Sequence, residues 1–285
     1  MHALHAHPLI RIFTVGAGWC FVALWTLGLG GCVGGAASAP YKQSVQMDVA
    51  HSAGTSLDVL TENGAIKVHK EEAGGVVISA EVHATTQERE DATRVTADRG
   101  PGGQLVVRVV WPDRRLPAEG CSFDISLPDA EGVMLHSSNG ALSCSGLGGK
   151  AELVTSNGAI EVKGHRGPVH ADTSNGAVRL RDIGTPVAAS SSNGAIVVEL
   201  ADGAAGPVDI DTSNGKVEVV FPRSFQGEVK AKTSNGAVSL DVPDTGVFVT
   251  KLSRTSCVVK FGGIDSSAPS STIDTSNGAI SIKGR

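Results

Sequence analysis

The sequence has few aromatic residues and no excess of positive charge. Phe, Trp and Tyr make up 4% of the 285 residues, and 24 Lys and Arg stand against 29 Asp and Glu, which gives a formal net charge of −5. Proteins that bind nucleic acid usually carry a strong basic field, so this balance disfavours a DNA or RNA partner. Aromatic side chains also stack on sugar rings, and their scarcity weakens an assignment as a carbohydrate enzyme.

The sequence also lacks the spacings that bind metals. There is no CxxC or HxxxH pattern, so neither a metal nor another cofactor is expected. Beyond Cys32 the chain has an odd number of cysteines, namely Cys121, Cys144 and Cys257. Cys144 stands where the repeat described below has an inward Val or Leu, which favours a buried apolar cysteine. A disulfide between Cys121 and Cys144 is the alternative.

The N-terminal segment has no acidic residue before Cys32 and a single arginine, Arg11. The apolar run over residues 12–29 has the length of a signal-peptide core. It leads into Leu29-Gly30-Gly31-Cys32, which resembles a bacterial lipobox, where the cysteine thiol receives a diacylglycerol. A membrane-spanning helix is the alternative, but the glycines around Cys32 make a poor helix. We therefore predict that residues 1–31 are a lipoprotein signal peptide and that Cys32 is lipidated.

The residues after Cys32 bear on location. Val33 follows the cysteine, and in envelopes with two membranes lipoproteins without aspartate at this position are usually sent to the outer membrane. The expected location is therefore the bacterial cell envelope, with the lipid in the outer membrane. Residues 33–44 are rich in Gly, Ala and Ser, so residues 32–44 are predicted to be the lipidated cysteine and a flexible tether.

A short repeat dominates the rest of the chain. The tripeptide Ser-Asn-Gly recurs at spacings of 18, 18, 18, 21, 21 and 42 residues, and an earlier Thr61-Glu62-Asn63-Gly64 lies outside the series. The repeated asparagines are Asn139, Asn157, Asn175, Asn193, Asn214, Asn235 and Asn277. The last interval is twice 21, which predicts a repeat without the motif near Ser256. A fixed period near 20 residues is typical of a repeat architecture.

Apolar and polar residues alternate on both sides of each asparagine. With the asparagine as position zero, apolar residues occupy −6 and −4 in most repeats and +3 and +5 in all of them, and position −2 is always Ser or Thr. This alternation predicts two half-buried strands per repeat. The glycine after each asparagine, for example Gly176 or Gly194, is expected to adopt positive φ and turn the chain. Asn-Gly is also a strong hairpin signal, so a meander of hairpins is the alternative to a solenoid.

The asparagine at every turn favours the solenoid. Equal positions in a stack lie one strand spacing apart, so each buried amide would meet another above and below it. We predict that the seven asparagines form a structural ladder in an all-β parallel β-helix with rungs of about 18–21 residues. This domain is expected to cover residues 45–285, with irregular rungs to about residue 130 and regular rungs over 131–285. Stacking in chain order would place Asp211 beside Lys232.

Parts of the sequence resemble a known bacterial family. Residues 62–68 (ENGAIKV), residues 123–128 (FDISLP) and the tandem Ser-Asn-Gly-Ala-Ile/Val repeats are similar to the "putative adhesin" family of β-solenoid domains of unknown function. The resemblance covers roughly residues 45–285. It implies a parallel β-helix, an envelope or surface location and no established activity, and it transfers no catalytic residue to this chain.

The outward carboxylates are the one sign of a possible enzyme. Asp172, Asp209 and Asp211 follow an outward row, as clustered carboxylates do in β-helices that act on polysaccharides. The histidines are expected to be surface residues that do not converge, namely His136, His165 and His170. We predict a protein that is not an enzyme and has a structural or adhesive role. A carbohydrate-active β-helix is the alternative, and a cleft uniting two carboxylates over the variable side of the rungs would distinguish it.

The expected partners follow from the chain ends and loops. The sequence stops just after the strand-like residues 280–285, so this last rung is predicted to be an open edge with only Lys283 and Arg285 to discourage pairing. A second copy could associate there. The remaining third of each repeat varies in length, as at residues 221–227, and such insertions often form a binding face for a protein or glycan. The membrane is the other expected partner, through the lipid.

Overall fold

The computed structural model describes residues 38–72, 74–243, 246–262 and 269–285, and the backbone of strands β1 and β2 near the N-terminus. In these ranges the regular structure is β-strand, apart from the six-residue helix α1 (Gln87–Ala92). The all-β prediction is confirmed. The predicted lipidation site Cys32 lies outside the described residues. Within those ranges the chain has no helix with the length and hydrophobicity needed to cross a membrane.

The strands form two large sheets, and the numbering follows the chain. Sheet A has 13 strands, in the spatial order β1 (Ile12–Val15), β2 (Trp19–Leu24), β3 (Tyr41–Ala50), β6 (Gly75–Ala84), β9 (Gly120–Leu127), β5 (Ile66–Lys70), β11 (Leu142–Ser145), β13 (Ile160–His165), β15 (Val178–Ile183), β17 (Ile196–Leu200), β19 (Val217–Phe221), β25 (Ile280–Gly284) and β21 (Val238–Asp241).

Sheet B has 12 strands, in the spatial order β7 (Arg94–Arg99), β8 (Leu105–Val110), β4 (Ser56–Leu60), β10 (Gly132–Ser137), β12 (Lys150–Thr155), β14 (Val169–Thr173), β16 (Val187–Ser191), β18 (Val208–Thr212), β24 (Ser270–Thr275), β20 (Gly227–Thr233), β23 (Ser256–Phe261) and β22 (Val247–Leu252).

Each repeat contributes one strand to each sheet. The repeat around Asn175 places β14 in sheet B and β15 in sheet A, with the Ser-Asn-Gly corner between them. We call this unit a rung and name it by its asparagine. Adjacent rungs pair in parallel and in register, so that Val178 aligns with Ile160 on one side and Ile196 on the other. The inward side chains of both sheets therefore meet in one apolar core.

The first half of the chain does not continue the rungs in sequence order. Rung 63 lies directly against rung 139, since β4 pairs with β10 and β5 with β11. The residues between them in sequence lie on the other side of rung 63, where β8 and β9 form one more parallel layer. Strands β3, β6 and β7 pair antiparallel. The prediction of irregular rungs up to about residue 130 is therefore wrong for these three strands, and β3 already begins at Tyr41, inside the predicted tether.

The last rung is also out of sequence order. Rung 277 lies between rungs 214 and 235, because β24 pairs with both β18 and β20, and β25 with both β19 and β21. The prediction of an open edge at residues 280–285 is therefore wrong. Ser256 does not begin a rung either, since β23 pairs antiparallel with β20 and β22. The outermost strands at this end are β21 in sheet A and β22 in sheet B.

One of the longer variable segments, residues 221–227, folds partly into the core. Phe221 and Phe225, at either end of a short loop, are buried together with Phe261 at the end of β23. Their ring centroids are 4.6–5.7 Å apart, a range in which aromatic rings attract one another. The expectation that residues 221–227 form a binding face is therefore wrong for these two aromatic side chains. The cluster instead fastens the β22–β23 hairpin to the stack.

Candidate functional site: the asparagine corner and the acidic face beside it

The Ser-Asn-Gly corners line up along one edge of the stack, and their asparagine side chains form a continuous hydrogen-bonded chain. Each Nδ2 donates to the Oδ1 of the next asparagine over 2.7–3.0 Å. The order is Asn235, Asn277, Asn214, Asn193, Asn175, Asn157, Asn139 and Asn63. Asn63 thus belongs to this row of hydrogen-bonded asparagines, although it lies outside the regular sequence spacing. Each interior amide uses a donor and an acceptor to join its neighbours.

The seven repeated asparagines are exposed, which corrects the expectation that they are buried, and Asn63 is partly exposed. The alternation of inward and outward residues stops where the chain leaves the strand and enters the corner. The buried polar residue is the Ser or Thr at position −2, such as Thr173. Its Oγ1 donates to the carbonyl oxygen of Gly158 on the neighbouring rung over 3.0 Å. The same bond recurs along the stack from Ser137, Thr155, Ser191, Thr212, Thr233 and Thr275.

The corner glycines are required by close contact between rungs. Gly176 and Gly194 do not adopt positive φ, so that prediction is wrong. A Cβ on Gly176 would lie 2.0 Å from the carbonyl oxygen of Gly158, and one on Gly194 would lie 1.8 Å from that of Gly176. No real Cβ makes such a contact, so the glycine row lets the rungs approach closely enough for the Thr and Asn bonds.

A buried ion pair holds the loop at the N-terminal end of the asparagine chain. Asn63 Nδ2 donates to the carbonyl oxygens of Pro117 and Glu119 over 3.0 and 2.9 Å. The Glu119 side chain is fully buried, and Arg89 donates to both its oxygens over 2.6 and 2.8 Å. Thr85 Oγ1 and the Leu116 amide also donate to it, each over 2.9 Å. The carboxylate therefore serves as a structural clamp.

The electrostatics of Glu119 agree with that role. Burial would raise its pKa, but the hydrogen bonds from Arg89, Leu116 and Thr85 outweigh burial and lower the pKa to about 2. Sequence reasoning missed this cluster because Arg89 and Glu119 lie 30 residues apart. In the sequence, residues 87–91 (QERED) have the charged composition of a surface segment. The composition gives no sign that Glu90 is buried.

Two carboxylates meet on the outer face of sheet B. The inserted rung 277 places Asp274 in register between Asp211 and Lys232. Asp211 and Lys232, which were predicted to be neighbours, therefore lie on strands that are not adjacent. Burial and the Asp211 charge raise the pKa of Asp274, while Lys232 opposes them. These residues line a shallow polar cleft of about 180 Å³ together with Thr212, Ser234, Thr275 and Ser276. The cleft lies beside the asparagine corner and not over the variable side of the rungs.

The other two aspartates of the predicted row accept hydrogen bonds from hydroxyl groups. Ser190 Oγ donates to Asp172 over 2.7 Å, and Thr272 Oγ1 donates to Asp209 over 2.9 Å. Asp209 therefore has Thr272 as its in-register neighbour where chain order would give Lys230. The row Asp172, Asp209 and Asp211 does not form one cluster.

The histidines do not form a site. His136 and His170 lie on the outward side of sheet B, whereas His165 is fully buried and its Nε2 lies 2.9 Å from the Gly149 carbonyl oxygen. The expectation of a surface residue is therefore wrong for His165, whose ring fills the last inward position of β13. Among the described residues, no group of three or more His, Cys, Asp or Glu side chains is arranged to hold a metal ion.

The three cysteines of the described ranges are free and buried. Burial raises the pKa of Cys144 to about 12, which keeps the thiol protonated and unreactive. Cys121 lies on β9 and Cys144 on β11, with β5 between these strands. The Cys121–Cys144 disulfide is therefore not formed, and the buried apolar assignment of Cys144 agrees with the structure.

Comparison with known proteins gives distant likenesses. A family model described as a domain of unknown function, DUF7330, matches residues 184–244, which is less than half of the chain. No curated protein matches the sequence.

Three solved bacterial structures are distantly similar to this chain. A putative cell adhesion protein from Clostridium sporogenes has 13% identity and a TM-score of 0.36, covering 86% of this chain and 100% of its own. A putative adhesin from Bacteroides fragilis has 11% identity and a TM-score of 0.41, with 85% and 97% covered. A putative lipid binding protein from Parabacteroides distasonis has 9% identity and a TM-score of 0.28, with 84% and 96% covered. TM-scores below 0.5 carry no conclusion about the function of this chain.

Proposed function

We propose that this chain is a lipid-anchored protein of the bacterial envelope with a structural or adhesive role and no catalytic activity. In this proposal the two sheets close into a parallel β-helix. Each rung crosses from sheet B to sheet A through the same corner, and parallel pairing in register, as between β13 and β15, supports that arrangement.

The observation that carries the proposal is the way the repeated polar groups are used. The asparagines bond to one another, as Asn175 does with Asn157 over 3.0 Å, and the position −2 hydroxyls bond to glycine carbonyls. Outward charges also pair between rungs, as Lys283 does with Glu218 over 2.6 Å. Because the repeated polar side chains hold neighbouring rungs together, the stack is expected to be stiff. A stiff scaffold suits a structural or adhesive role.

An exposed apolar strand supports a binding role. On β22, which ends sheet B on the side opposite β7, Phe248, Val249 and Leu252 are 48%, 47% and 59% exposed. Clustered exposed apolar side chains usually mark interaction sites, and an outermost strand can accept a strand from a partner protein. We propose that this strand meets a protein partner of the envelope or of another cell surface.

The test is attachment of the full chain to cells that carry such a surface. Replacing Phe248 and Leu252 together by Ser should reduce the bound fraction several-fold. Leu60→Ser is the matched control, because Leu60 is also exposed on sheet B but lies near the opposite end of the strand order. Equal attachment of both variants and the unmodified protein would contradict the adhesive role of β22.

A carbohydrate-active β-helix is the second candidate, and the cleft with Asp211 and Asp274 favours it. Burial and the neighbouring Asp211 charge raise the pKa of Asp274, and a carboxyl group with a raised pKa beside a second carboxylate can act as a general acid on a glycosidic bond. We expect the protein to release no reducing ends from a panel of bacterial polysaccharides. Release that disappears in Asp211→Asn and Asp274→Asn, but persists in the control Asp209→Asn, would establish the enzyme instead.

The anchor is proposed at Cys32, with the lipid in the outer membrane. When the full chain is expressed, metabolic labelling with a fatty acid should mark the processed protein that begins at Cys32, and Cys32→Ala should remove the label and leave an unprocessed precursor. Cys20→Ala, which lies within the predicted signal peptide, is the control and should be labelled normally. Labelling of the Cys32→Ala protein would refute the anchor without bearing on the adhesive role.

A further inference from the structure

The row of hydrogen-bonded asparagines has a direction, and one of its ends fixes that direction. Asn63 Nδ2 donates to the carbonyl oxygens of Pro117 and Glu119. A carbonyl oxygen only accepts hydrogen bonds, so the oxygen of the Asn63 amide faces Asn139, whose Nδ2 donates to it over 2.7 Å. The same constraint passes from each amide to the next. Every bond of the row therefore runs from an Nδ2 to the Oδ1 of the neighbour on the Asn63 side.

The two ends of the row are held differently. An interior asparagine such as Asn175 makes two bonds, one through Nδ2 and one through Oδ1. Asn63 makes three, because its Nδ2 donates twice and its Oδ1 accepts once. Asn235 donates to Asn277 over 2.9 Å, and among the residues that the structure describes none donates to Asn235 Oδ1. The Asn235 side chain is therefore the least constrained of the row.

Every asparagine of the row is followed by a glycine, and such a pair can lose ammonia. The backbone nitrogen of the glycine attacks Cγ of the asparagine and loses its proton to solvent. The bond between Cγ and Nδ2 breaks, ammonia leaves, and a cyclic succinimide forms. Water then opens either carbonyl of the ring and yields an aspartate or an isoaspartate. A following glycine favours the reaction because it has no Cβ to obstruct the ring.

The hydrogen bonds of the row oppose this reaction. The asparagines are exposed or partly exposed, so water reaches them and burial gives little protection. Ring closure turns the side-chain amide towards its own backbone, a movement that breaks the bonds made by Nδ2 and Oδ1. An interior asparagine loses two bonds, whereas Asn235 loses one and Asn63 loses three. One net hydrogen bond changes an equilibrium roughly fivefold, so Asn235 should be the most reactive.

The product at position 235 would weaken the contact with the next rung. A carboxylate there has no hydrogen to donate to Asn277 Oδ1. An isoaspartate also lengthens the backbone at a corner without free space, since a Cβ on Gly236 would already lie 1.9 Å from the Gly278 carbonyl oxygen. Asn277 would then be the asparagine whose Oδ1 has no donor, which is the situation of Asn235 before the reaction.

We propose that Asn235 is a site of spontaneous deamidation, and that deamidation then advances along the row in spatial order, to Asn277 and next to Asn214. All seven repeated sites share the local sequence Ser-Asn-Gly, so the fold alone sets this order. In the sequence, Asn277 comes last and lies 42 residues after Asn235. This inference goes beyond the proposed function and does not depend on it.

Peptide mass spectrometry of the full chain tests the order. The folded protein, and the same protein unfolded in guanidinium chloride, are kept in mildly alkaline buffer, and deamidation at each asparagine is followed over time. In the unfolded chain the seven Ser-Asn-Gly sites should react at similar rates. In the folded protein, relative to those rates, Asn235 should react about fivefold faster than Asn175 and Asn63 should react slowest. Equal relative rates at Asn235 and Asn175 would overturn the proposal.

The direction of the row allows a second test within one variant. Asn193 Nδ2 donates to Asn175 and Asn193 Oδ1 accepts from Asn214. In Asn193→Asp the carboxylate still accepts from Asn214 but donates nothing to Asn175. Deamidation should therefore become about fivefold faster at Asn175 and stay unchanged at Asn214.

Ser192→Ala is the matched control, because Ser192 is exposed beside the same corner and its side chain makes no bond in the row. This variant should change neither rate, and circular dichroism checks that both variants fold. In folded Asn193→Asp, equal acceleration at Asn175 and Asn214, or none at Asn175, would overturn the proposal. If Asn193→Asp does not fold, the comparison of Asn235 with Asn175 in the unmodified protein still decides.

Discussion

Replacement of Gly176 by Ala is the most direct test of how the rungs are held together. The added Cβ would lie 2.0 Å from the Gly158 carbonyl oxygen and 2.5 Å from its carbon, whereas ordinary contact begins at 3.4 Å. Both atoms are backbone, so no flexible side chain can move aside. The neighbouring rung would have to retreat by about 1.4 Å, or the corner would have to rotate out of register.

The magnitude follows from the hydrogen bonds that such a movement breaks. The backbone N–H of Asn175 donates to the Ser156 carbonyl oxygen over 2.8 Å, and Thr173 Oγ1 donates to the Gly158 carbonyl oxygen over 3.0 Å. The side-chain Nδ2 of Asn175 donates to Asn157 Oδ1 over 3.0 Å. An increase of more than 1 Å takes all three beyond bonding distance. At about 1 kcal/mol net for each bond, the expected loss of unfolding free energy is about 3 kcal/mol.

Urea denaturation followed by circular dichroism measures this loss, and two other glycines separate its possible causes. Gly148 has no positive φ and nothing within 4 Å of an added Cβ, so Gly148→Ala should change stability by less than about 0.5 kcal/mol. Gly203 has φ of 79° but open space around it, so Gly203→Ala should show backbone strain alone, about 1 kcal/mol. If Gly176→Ala were no more destabilising than Gly148→Ala, close approach of the rungs would not be what selects glycine.

Further predictions concern the same stack. Asn175→Ala should cost about 1 kcal/mol, less than Gly176→Ala, because the exposed neighbouring amides can turn to water; a larger loss in urea titrations would contradict this. Because hydrogen bonds from Arg89 help to lower the pKa of Glu119 from 4.5 to about 2, the stability that this carboxylate contributes is present above pH 4.5 and lost as the pH falls towards 2. That loss is of order 3 kcal/mol, and Glu119→Gln should flatten the acid branch of a plot of unfolding free energy against pH. Burial lowers the pKa of His165 below 6.5, so the unfolded chain takes up a proton first and stability should decline as the pH falls below 6.5; a decline that persists in His165→Gln would point to another group.

The local structure of the repeats is encoded in the sequence itself. Alternation of residues such as Val178 and Leu180 with polar neighbours is enough to predict strands, because a residue's side in a strand depends only on parity. The corner composition also points to the hydrogen-bonded asparagines, since an amide can both donate to and accept from its equal. These predictions depend on a few neighbouring residues, so they do not require knowledge of the fold.

The reason for each corner glycine and the exposure of the asparagines required the tertiary structure. Asn-Gly has the same local signature in a hairpin and at a corner between stacked strands. Only the position of the Gly158 carbonyl oxygen shows that Gly176 is selected by contact with another rung. In the same way, Glu119 is an ordinary acidic residue in the sequence and a buried clamp once Arg89 and Thr85 surround it.

The order in which the rungs stack was decided by tertiary structure alone. Every rung offers the same Asn, Gly and Ser or Thr groups to its neighbours, so the motif states that a rung will stack but not against which other rung. Asn139 therefore lies against Asn63 across 76 residues of sequence, and Asn277 lies between Asn214 and Asn235. The choice is made by the packing of side chains outside the motif and by the length of the connections. The sequence determined the unit of this protein, and tertiary packing determined the arrangement of the units, because contacts that are the same in every rung cannot specify an order.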